Sequence, residues 1–142
     1  GNVYGPRQSP FGEAGVVGIF GQRLLSGEPC IVNGDGLTTR DYIHVSDVVK
    51  AFVAAGDQGE GLYNIGTGIE TSVLDVFKML SGILDLNVEP THGDPLPGEV
   101  RRVLLSVSKA EKELNWKAEV GFEEGARTVV DWLKETHADQ AN

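Results

Sequence analysis

Cysteine is almost missing from this sequence, in which Cys30 is the single cysteine. One cysteine cannot form an internal disulfide, and between apolar neighbours it is usually a small buried side chain. Apolar runs are short, well below the roughly 20 residues that cross a bilayer, and no charged-then-apolar leader is visible. We therefore expect a cytoplasmic protein with neither a membrane span nor a secretory signal.

Positive charge is also scarce. Lysine and arginine number 12 against 21 aspartates and glutamates, so the formal net charge is −9. Such a field repels nucleic acids, and no basic stripe is present that would overcome it. A phosphate-bearing ligand would have to be held by a few arginines acting locally. The 142 residues, 40% hydrophobic and 23% charged, otherwise suit one ordinary globular domain.

Catalytic motifs are missing as well. A tyrosine that transfers protons is often paired with a lysine, which lowers its pKa, but no lysine stands four residues after Tyr4, Tyr42 or Tyr63. The sequence has no G-x-S-x-G or H-E-x-x-H motif and no cluster of cysteine and histidine that would bind a metal ion. His44 lies in an apolar strand pattern and is interpreted as structural. We expect no catalytic residue and no metal site within this chain.

Two glycine runs have part of the spacing of a dinucleotide-binding loop. The first, G-x-x-G-x-x-G over residues 12–18, needs a strand directly before it, but prolines at 6 and 10 exclude a central strand there. The second, Gly66-Thr67-Gly68, follows a strand pattern but lacks the third glycine and a second strand that ends in an acidic residue. Both are interpreted as ordinary turns, so no cofactor site is expected in this chain.

Alternating helix and strand patterns predict a mixed α/β fold in which helices predominate. Ser46 suits the start of a helix and Gly56 its end, and Ser108 with Glu111 forms an S-x-x-E capping box. Residues 88–98, which hold three of the six prolines, are expected to form an extended loop. The predicted helices cover 15–26, 46–56, a segment opened by Thr71 or Ser72, a short segment from 108 to about 116, and a last segment from 122; the predicted strands cover 29–32, 39–45 and 62–65.

Arg40 is the residue that physical chemistry singles out. It starts a strand just after the glycine-rich turn at 34–36, where a guanidinium can make paired hydrogen bonds to a phosphate or a carboxylate. The alternative is a surface ion pair with Asp35 or Asp41, which would contribute little to stability. Residues 101–102, both arginine, form a second basic spot, for which solvated surface is the more ordinary interpretation.

Six segments, taken in order, resemble one family. They are N-V-Y-G-P-R-Q at 2–8, G-D-G at 34–36, T-R-D-Y-I-H-V-S-D-V at 39–48, Y-N-I-G-T-G at 63–68, P-G-E at 97–99 and S-K-A at 108–110. This pattern is similar to that of the extended short-chain dehydrogenase/reductase superfamily, and most specifically to the NAD-dependent epimerase/dehydratase family with its UDP-glucose 4-epimerases. The resemblance extends over essentially the whole chain.

In that family the amino-terminal half forms the Rossmann domain, which carries both the glycine fingerprint and the Tyr-x-x-x-Lys pair. The resemblance implies that residues 1–142 are a single carboxy-terminal substrate domain without that half, with residues 62–65 as a strand that would join the missing Rossmann sheet. NAD is implied for the intact enzyme and not for this chain. The implied partners are a UDP-sugar or related nucleotide-sugar, a Rossmann-domain half, and further copies of the chain in a homo-oligomer.

The resemblance also assigns substrate-binding roles to individual residues. Two positions depart from the family pattern. Leu96 stands where an arginine is frequent, so that Arg101 or Arg102 would have to supply one phosphate contact. Asn33 stands where an aromatic side chain often stacks on the base, which leaves the base open. The implied substrate-binding residues are Asn2 at the sugar or diphosphate, Val16 in the wall of the nucleotide pocket, Asn33 beside the base, Arg40 and Arg101 at the diphosphate, and Glu99 at the ribose hydroxyls.

The implied function is that of the sugar-nucleotide-binding part of a UDP-glucose 4-epimerase-like enzyme, which anchors the nucleotide diphosphate and is inactive alone. Two alternatives stay open. The strand at 62–65 and uncovered helix faces would drive association, so that the chain could serve as an oligomerising structural module. The chain could also belong to a nucleotide-sugar dehydratase, because the proton-transfer groups that set the chemistry lie in the other half.

Overall fold

The structure is a computed structural model that describes residues 1–9 and 15–140, the last four by their helical backbone. Five helices and five short strands over these residues confirm the mixed, helix-rich α/β fold. The elements are β1 (Asn2–Tyr4), α1 (Val16–Leu25), β2 (Ile31–Asn33), β3 (Thr39–His44), α2 (Val45–Gln58), β4 (Glu70–Ser72), α3 (Val73–Ile83), β5 (Thr91–Gly93), α4 (Ser108–Leu114) and α5 (Phe122–Gln140).

The strands form two small sheets. A three-stranded sheet has the order β1-β3-β4, with β1 parallel to β3 (Asn2 beside Tyr42) and β4 antiparallel to it (Thr71 beside Arg40). A separate pair joins β2 and β5 in parallel. The sequence patterns did not predict β4 or β5, and β5 lies within the residues expected to be loop. Strands of three residues are too short to show an alternating pattern.

Strand β3 separates two apolar clusters because successive side chains of a strand point to opposite faces. Tyr42 packs with Tyr4 in a cluster that also contains the inward faces of α1, α3 and α5. Ile43 packs on the other face with Leu114 and Trp116, beneath α2 and α4. The polar residues of β3 lie on either side of this apolar pair, at 39–41 and at His44.

Two fully buried carboxylates connect the strand region to distant loops. Asp41 accepts hydrogen bonds from the Thr67 N–H at 2.8 Å, the Thr67 hydroxyl at 2.7 Å and the Gly68 N–H at 3.0 Å. Asp47 accepts from the N–H groups of Glu119 at 2.9 Å and Val120 at 2.8 Å. Buried carboxylates are costly unless donors surround them, so these contacts hold the two loops in place.

The residue that caps α3 was predicted correctly from the sequence, and the residue that caps α2 was not. Ser72 caps α3 and forms a reciprocal capping box with Asp75, as expected for one of the two predicted start residues. The prediction that Ser46 caps α2 is wrong, because His44 is the cap and its Nδ1 accepts from the Ser46 N–H at 3.4 Å. An imidazole nitrogen here replaces the hydroxyl that usually caps a helix.

The predicted capping box of α4 is also wrong. Ser108 is the first residue of the helix rather than its cap, and Val107 occupies the cap position without a side-chain hydrogen bond. The Glu111 N–H therefore donates to the Val107 carbonyl at 3.1 Å. A helix start displaced by one residue is enough to remove the hydroxyl from the capping position.

Residues 62–65 carry no strand assignment in the structure. The amino group of Gly1 donates to the Ile65 carbonyl at 2.6 Å, and the Asn64 side chain donates to the Ser106 carbonyl at 3.2 Å. The predicted strand refers to pairing with a sheet outside this chain, so it stays a prediction. Across residues 1–9 and 15–140, no helix is both long and apolar enough to cross a membrane.

Candidate functional site

An open cleft lies where the end of β2 and the turn after it face the segment that follows β5. We name it the arginine cleft. Its volume is about 390 Å³. The turn contains Gly34 and Gly36, both with positive φ (61° and 71°), and a Cβ at Gly36 would lie 2.6 Å from the Val32 side chain. Glycine is therefore required where the turn folds back on β2. The lining residues are Asn33, Gly34, Asp35, Thr38, Pro95, Leu96, Glu99 and Arg101.

Arg40 lies beside this cleft, at the start of β3, and its guanidinium is held on several sides. Its Nη1 donates to the Val100 carbonyl at 2.7 Å and the Thr39 carbonyl at 2.9 Å, and its Nη2 pairs with Glu99 Oε1 at 3.3 Å. The second Glu99 oxygen accepts from the Thr38 hydroxyl at 3.4 Å. The acidic partner of Arg40 is thus Glu99, 59 residues away in sequence, and neither of the two neighbours considered from the sequence.

Arg101 faces Asp35 across the arginine cleft. Its two terminal nitrogens donate to the two carboxylate oxygens at 2.9 Å and 2.6 Å, a paired geometry typical of guanidinium and carboxylate. The Arg101 hydrogen bond is the main reason that the pKa of Asp35 lies below its usual value, and Asp35 raises the pKa of Arg101. Both side chains remain exposed, at 61% and 50%.

Arg102 points away from the arginine cleft. Its Nε pairs with Glu70, whose carboxylate also accepts from the Thr39 hydroxyl at 2.9 Å. The hydrogen bond from Arg102 is the main cause of the lowered pKa of Glu70. Of the two arginines that could replace an arginine at position 96, the structure therefore brings only Arg101 into the cleft.

Asn2 and Tyr42 lie on the same face of the three-stranded sheet as Arg40. Asn2 is exposed and pairs in register with Tyr42, which stands two residues after Arg40 in β3. Burial is the main reason that the pKa of Tyr42 is raised to about 12, while Arg40 opposes the shift and Glu99 adds to it. The Tyr42 phenol therefore stays protonated near neutral pH.

The predicted site residues are brought together only in part. Asn33, Glu99 and Arg101 line the arginine cleft, and Arg40 is joined to it through Glu99. Val16 is the first residue of α1 and packs against the core, outside the described lining of the cleft. Gly12 and the other residues at 10–14, which begin the first glycine run, lie outside the described residues.

Two polar lining residues that bind the charged groups of the site were not predicted as site residues. Thr38 and Asp35 each hold a charged group of the site, but nothing in their local pattern distinguishes them from ordinary turn residues. Only the non-local approach of residues 95–101 gives them a role. The lining offers an amide, a hydroxyl, two carboxylates and a guanidinium, which suit a polar ligand that both donates and accepts hydrogen bonds.

The second glycine run does not fit a dinucleotide. The N–H groups of Thr67 and Gly68, which would have to meet a pyrophosphate, already donate to the buried Asp41 carboxylate. A Cβ at Gly66 would lie 2.6 Å from that same carboxylate, which explains the glycine there. The run is a structural loop within this chain.

The relatives of this chain are nucleotide-sugar enzymes. A family model described as GDP-mannose 4,6 dehydratase matches residues 1–129. A putative UDP-glucose 4-epimerase of Methanocaldococcus jannaschii is 44% identical over 133 residues, which are 94% of this chain and 43% of the relative. The UDP-glucose 4-epimerase of Thermotoga maritima, solved with UDP-glucose, has a TM-score of 0.93 at 44% identity, over 96% of this chain and 44% of that one.

A third relative is the UDP-glucose 4-epimerase of Thermus thermophilus, solved in complex with NAD. Its TM-score is 0.85 at 40% identity, over 94% of this chain and 44% of that one. The chain thus spans less than half the length of the relatives it matches. By these comparisons the chain belongs to the GDP-mannose 4,6 dehydratase family, and it corresponds to the carboxy-terminal portion of the epimerases that it resembles.

Proposed function

We propose that this chain is the sugar-nucleotide-binding part of a UDP-glucose 4-epimerase-like enzyme and that the arginine cleft binds the nucleotide diphosphate. The observation that carries this proposal is the convergence of Arg40 with Glu99 and Arg101 at one cleft, although Glu99 lies 59 residues after Arg40 in the sequence. The solved T. maritima relative holds UDP-glucose and is 44% identical, which supports the same ligand class here.

Each group of the site then has a binding role. Arg40, held by two carbonyls and Glu99, presents donors to the diphosphate from a fixed position. Arg101 adds the contact that the family more often draws from position 96, which is Leu96 here. Glu99 accepts from the ribose hydroxyls, and Asn33 at the end of β2 lies beside the base. Asn2 contacts the sugar or the diphosphate, and the backbone at Val16 forms part of the wall of the nucleotide pocket.

The chain contributes binding and orientation rather than proton or hydride transfer. In an intact enzyme NAD would supply the hydride chemistry. The loop at 66–68 does not fit that cofactor, since the N–H groups of Thr67 and Gly68 already donate to Asp41. Alone, the chain is therefore expected to produce no epimer from UDP-glucose. The cytoplasmic location expected from the sequence belongs to this proposal and stays a prediction.

The proposed protein partner is the nucleotide-binding half that the longer relatives contain. The supporting observation is an exposed apolar face on α2, where Val49, Phe52 and Val53 are 56%, 75% and 63% exposed. Beside it lies an apolar groove of about 530 Å³, bordered by Phe52, Tyr63 and Ile65. Faces of this kind are covered in stable proteins, here by that half or by a second copy of the chain.

Calorimetric titration with UDP tests the proposed ligand. Arg40→Ala should weaken binding by about tenfold or more, because a hydrogen bond to a charged group contributes roughly 1.5–3 kcal/mol. Arg102→Ala is the matched control, because it removes the same charge outside the cleft. The affinity of this variant for UDP should stay within about twofold of that of the unaltered chain. Equal losses in both variants, or no binding by the unaltered chain, would contradict the proposal.

Titration with GDP tests the dehydratase alternative, which the description of the family model favours. We expect UDP to bind more tightly than GDP. Tighter binding of GDP would favour a dehydratase lineage. Because Asn33 stands where the family often has an aromatic side chain beside the base, the ratio of UDP affinity to GDP affinity measures which base this chain prefers.

A further inference from the structure

The two arginines of the site differ in how firmly they are held. The Arg40 side chain is 19% exposed, and its guanidinium is bonded to two backbone carbonyls as well as to Glu99. The Arg101 side chain is 61% exposed, and among the described residues its guanidinium donates its hydrogen bonds to the Asp35 carboxylate. One cation is therefore fixed, while the other is joined to a single group that a ligand can replace.

We propose that Asp35 is a competing carboxylate: it holds Arg101 while the cleft is empty and gives it up when a nucleoside diphosphate binds. Diphosphate oxygens accept the same paired hydrogen bonds from a guanidinium as a carboxylate does, so the two acceptors exclude each other at Arg101. Asp35 is then a positioning residue: by holding Arg101, it lowers the affinity of the cleft for a nucleoside diphosphate. This inference rests on the proposed function of the cleft.

The surrounding backbone allows the exchange without unfolding the site. The Arg101 carbonyl accepts from the Thr39 N–H at 3.0 Å, which fixes the backbone of Arg101 to β3 and leaves the guanidinium to move. Asp35 Oδ1 also accepts from the Leu37 N–H at 2.9 Å, so its turn retains an anchor after Arg101 departs. The exchange needs only a change of side-chain rotamer.

Three variants test this competition by calorimetric titration with UDP. Asp35→Asn keeps an oxygen for the Leu37 N–H but removes the charge that holds Arg101. It should bind UDP about two- to fivefold more tightly, which is the range over which exposed ion pairs act. Arg101→Gln should bind more weakly than the unaltered chain. Asp35→Glu, which restores the carboxylate, should return affinity toward that of the unaltered chain.

The double variant, Asp35→Asn with Arg101→Gln, separates competition from simple repulsion of the ligand by Asp35. If Asp35 acts through Arg101, the double variant should match Arg101→Gln alone. A gain from Asp35→Asn that persists without Arg101, or no gain in either background, overturns the inference. Thermal unfolding of each variant should confirm that all remain folded, since both side chains are exposed.

A second readout does not depend on nucleotide recognition. The guanidinium ¹H–¹⁵N resonance of Arg101 should move during titration with inorganic pyrophosphate, and it should saturate at a lower concentration in Asp35→Asn than in the unaltered chain. Failure of every chain to bind UDP would refute the proposed function, while this resonance would still decide the inference. Identical saturation in both chains, or no movement in either, would overturn it.

Discussion

At the scale of single residues, the charged side chains of the segment at 40–47 divide between the arginine cleft and the core. Arg40 lies beside the cleft and pairs with Glu99 of its lining, while Asp41 and Asp47 are fully buried and bind backbone N–H groups of distant loops. Residue type alone could identify Arg40, because a guanidinium after a glycine-rich turn has a clear physical use. It could not show that the two carboxylates are structural, since their partners lie 26 and 72 residues away.

His44 should make stability depend on pH. Its Nδ1 accepts from Ser46, and its Nε2 lies 3.2 Å from the Thr128 hydroxyl, which itself donates to the Gly125 carbonyl at 2.7 Å. Nε2 must therefore donate, and the ring is neutral. Burial lowers the pKa of His44 below its usual value of 6.5, and Asp47 and Glu124 oppose this only in part.

The sign of the effect follows from the lowered pKa. The unfolded chain binds a proton at His44 near pH 6.5, and the folded chain only at a lower pH, so stability is full above pH 6.5 and falls as pH decreases below it. Urea unfolding at pH 7.5, 6.5 and 5.5 should show a decline that His44→Asn reduces. His92→Asn, which removes an exposed histidine, is the control and should keep the decline. Parallel curves for the unaltered chain and His44→Asn would contradict this prediction.

At the scale of elements, α5 approaches the sheet through a glycine. A Cβ at Gly125 would lie 2.3 Å from the Tyr4 hydroxyl oxygen and 3.0 Å from His44 Cδ2, so no larger residue fits there without movement. Tyr4 already donates to the Phe122 carbonyl at 3.3 Å and packs against the Phe122 ring. The close contact of β1, β3 and α5 therefore depends on this position.

Gly125→Ala should destabilise the chain by about 1–3 kcal/mol, the usual cost of overpacking a filled core. Gly56→Ala is the matched control, because a Cβ at Gly56 meets nothing within 4 Å and the residue lies inside α2. That change should stabilise by up to about 1 kcal/mol, since alanine favours a helix over glycine. Chemical denaturation measures both, and a loss of stability in Gly56→Ala or none in Gly125→Ala would refute the packing argument.

Gly56 also shows that sequence patterns can misplace the end of a helix. It was expected to end α2, but the helix continues to Gln58, and Gly59 then leaves it with extended backbone while its N–H donates to the Ala55 carbonyl. Helices with long apolar periodicity were predicted correctly as elements, because their pattern is local. Strands β4 and β5 were not, because each is three residues long and exists only through pairing with residues far along the chain.

At the scale of the whole molecule, α2 is apolar on more than one side. Its own Ala51 is buried on the inner face, yet Val45, Val49, Phe52 and Val53 form an exposed stripe with 38–75% of their surface accessible. A contiguous exposed apolar stripe of this kind is normally covered by another surface. The chain matches only about 44% of the length of its solved relatives, which agrees with a face that a larger assembly covers.

Without the proposed nucleotide-binding half to cover it, the exposed stripe on α2 should cause the chain to associate with itself. Light scattering at high micromolar concentration should give at least the mass of a dimer, and Val49→Ser with Phe52→Ser should shift it toward the monomer, because contiguous exposed apolar surface drives association. Leu37→Ser with Leu96→Ser removes two residues of similar exposure (53% and 52%) away from α2 and should leave the mass unchanged. A strictly monomeric unaltered chain would contradict self-association. Equal loss of mass in both double variants would contradict a specific role of the α2 stripe, because only the first pair lies on it.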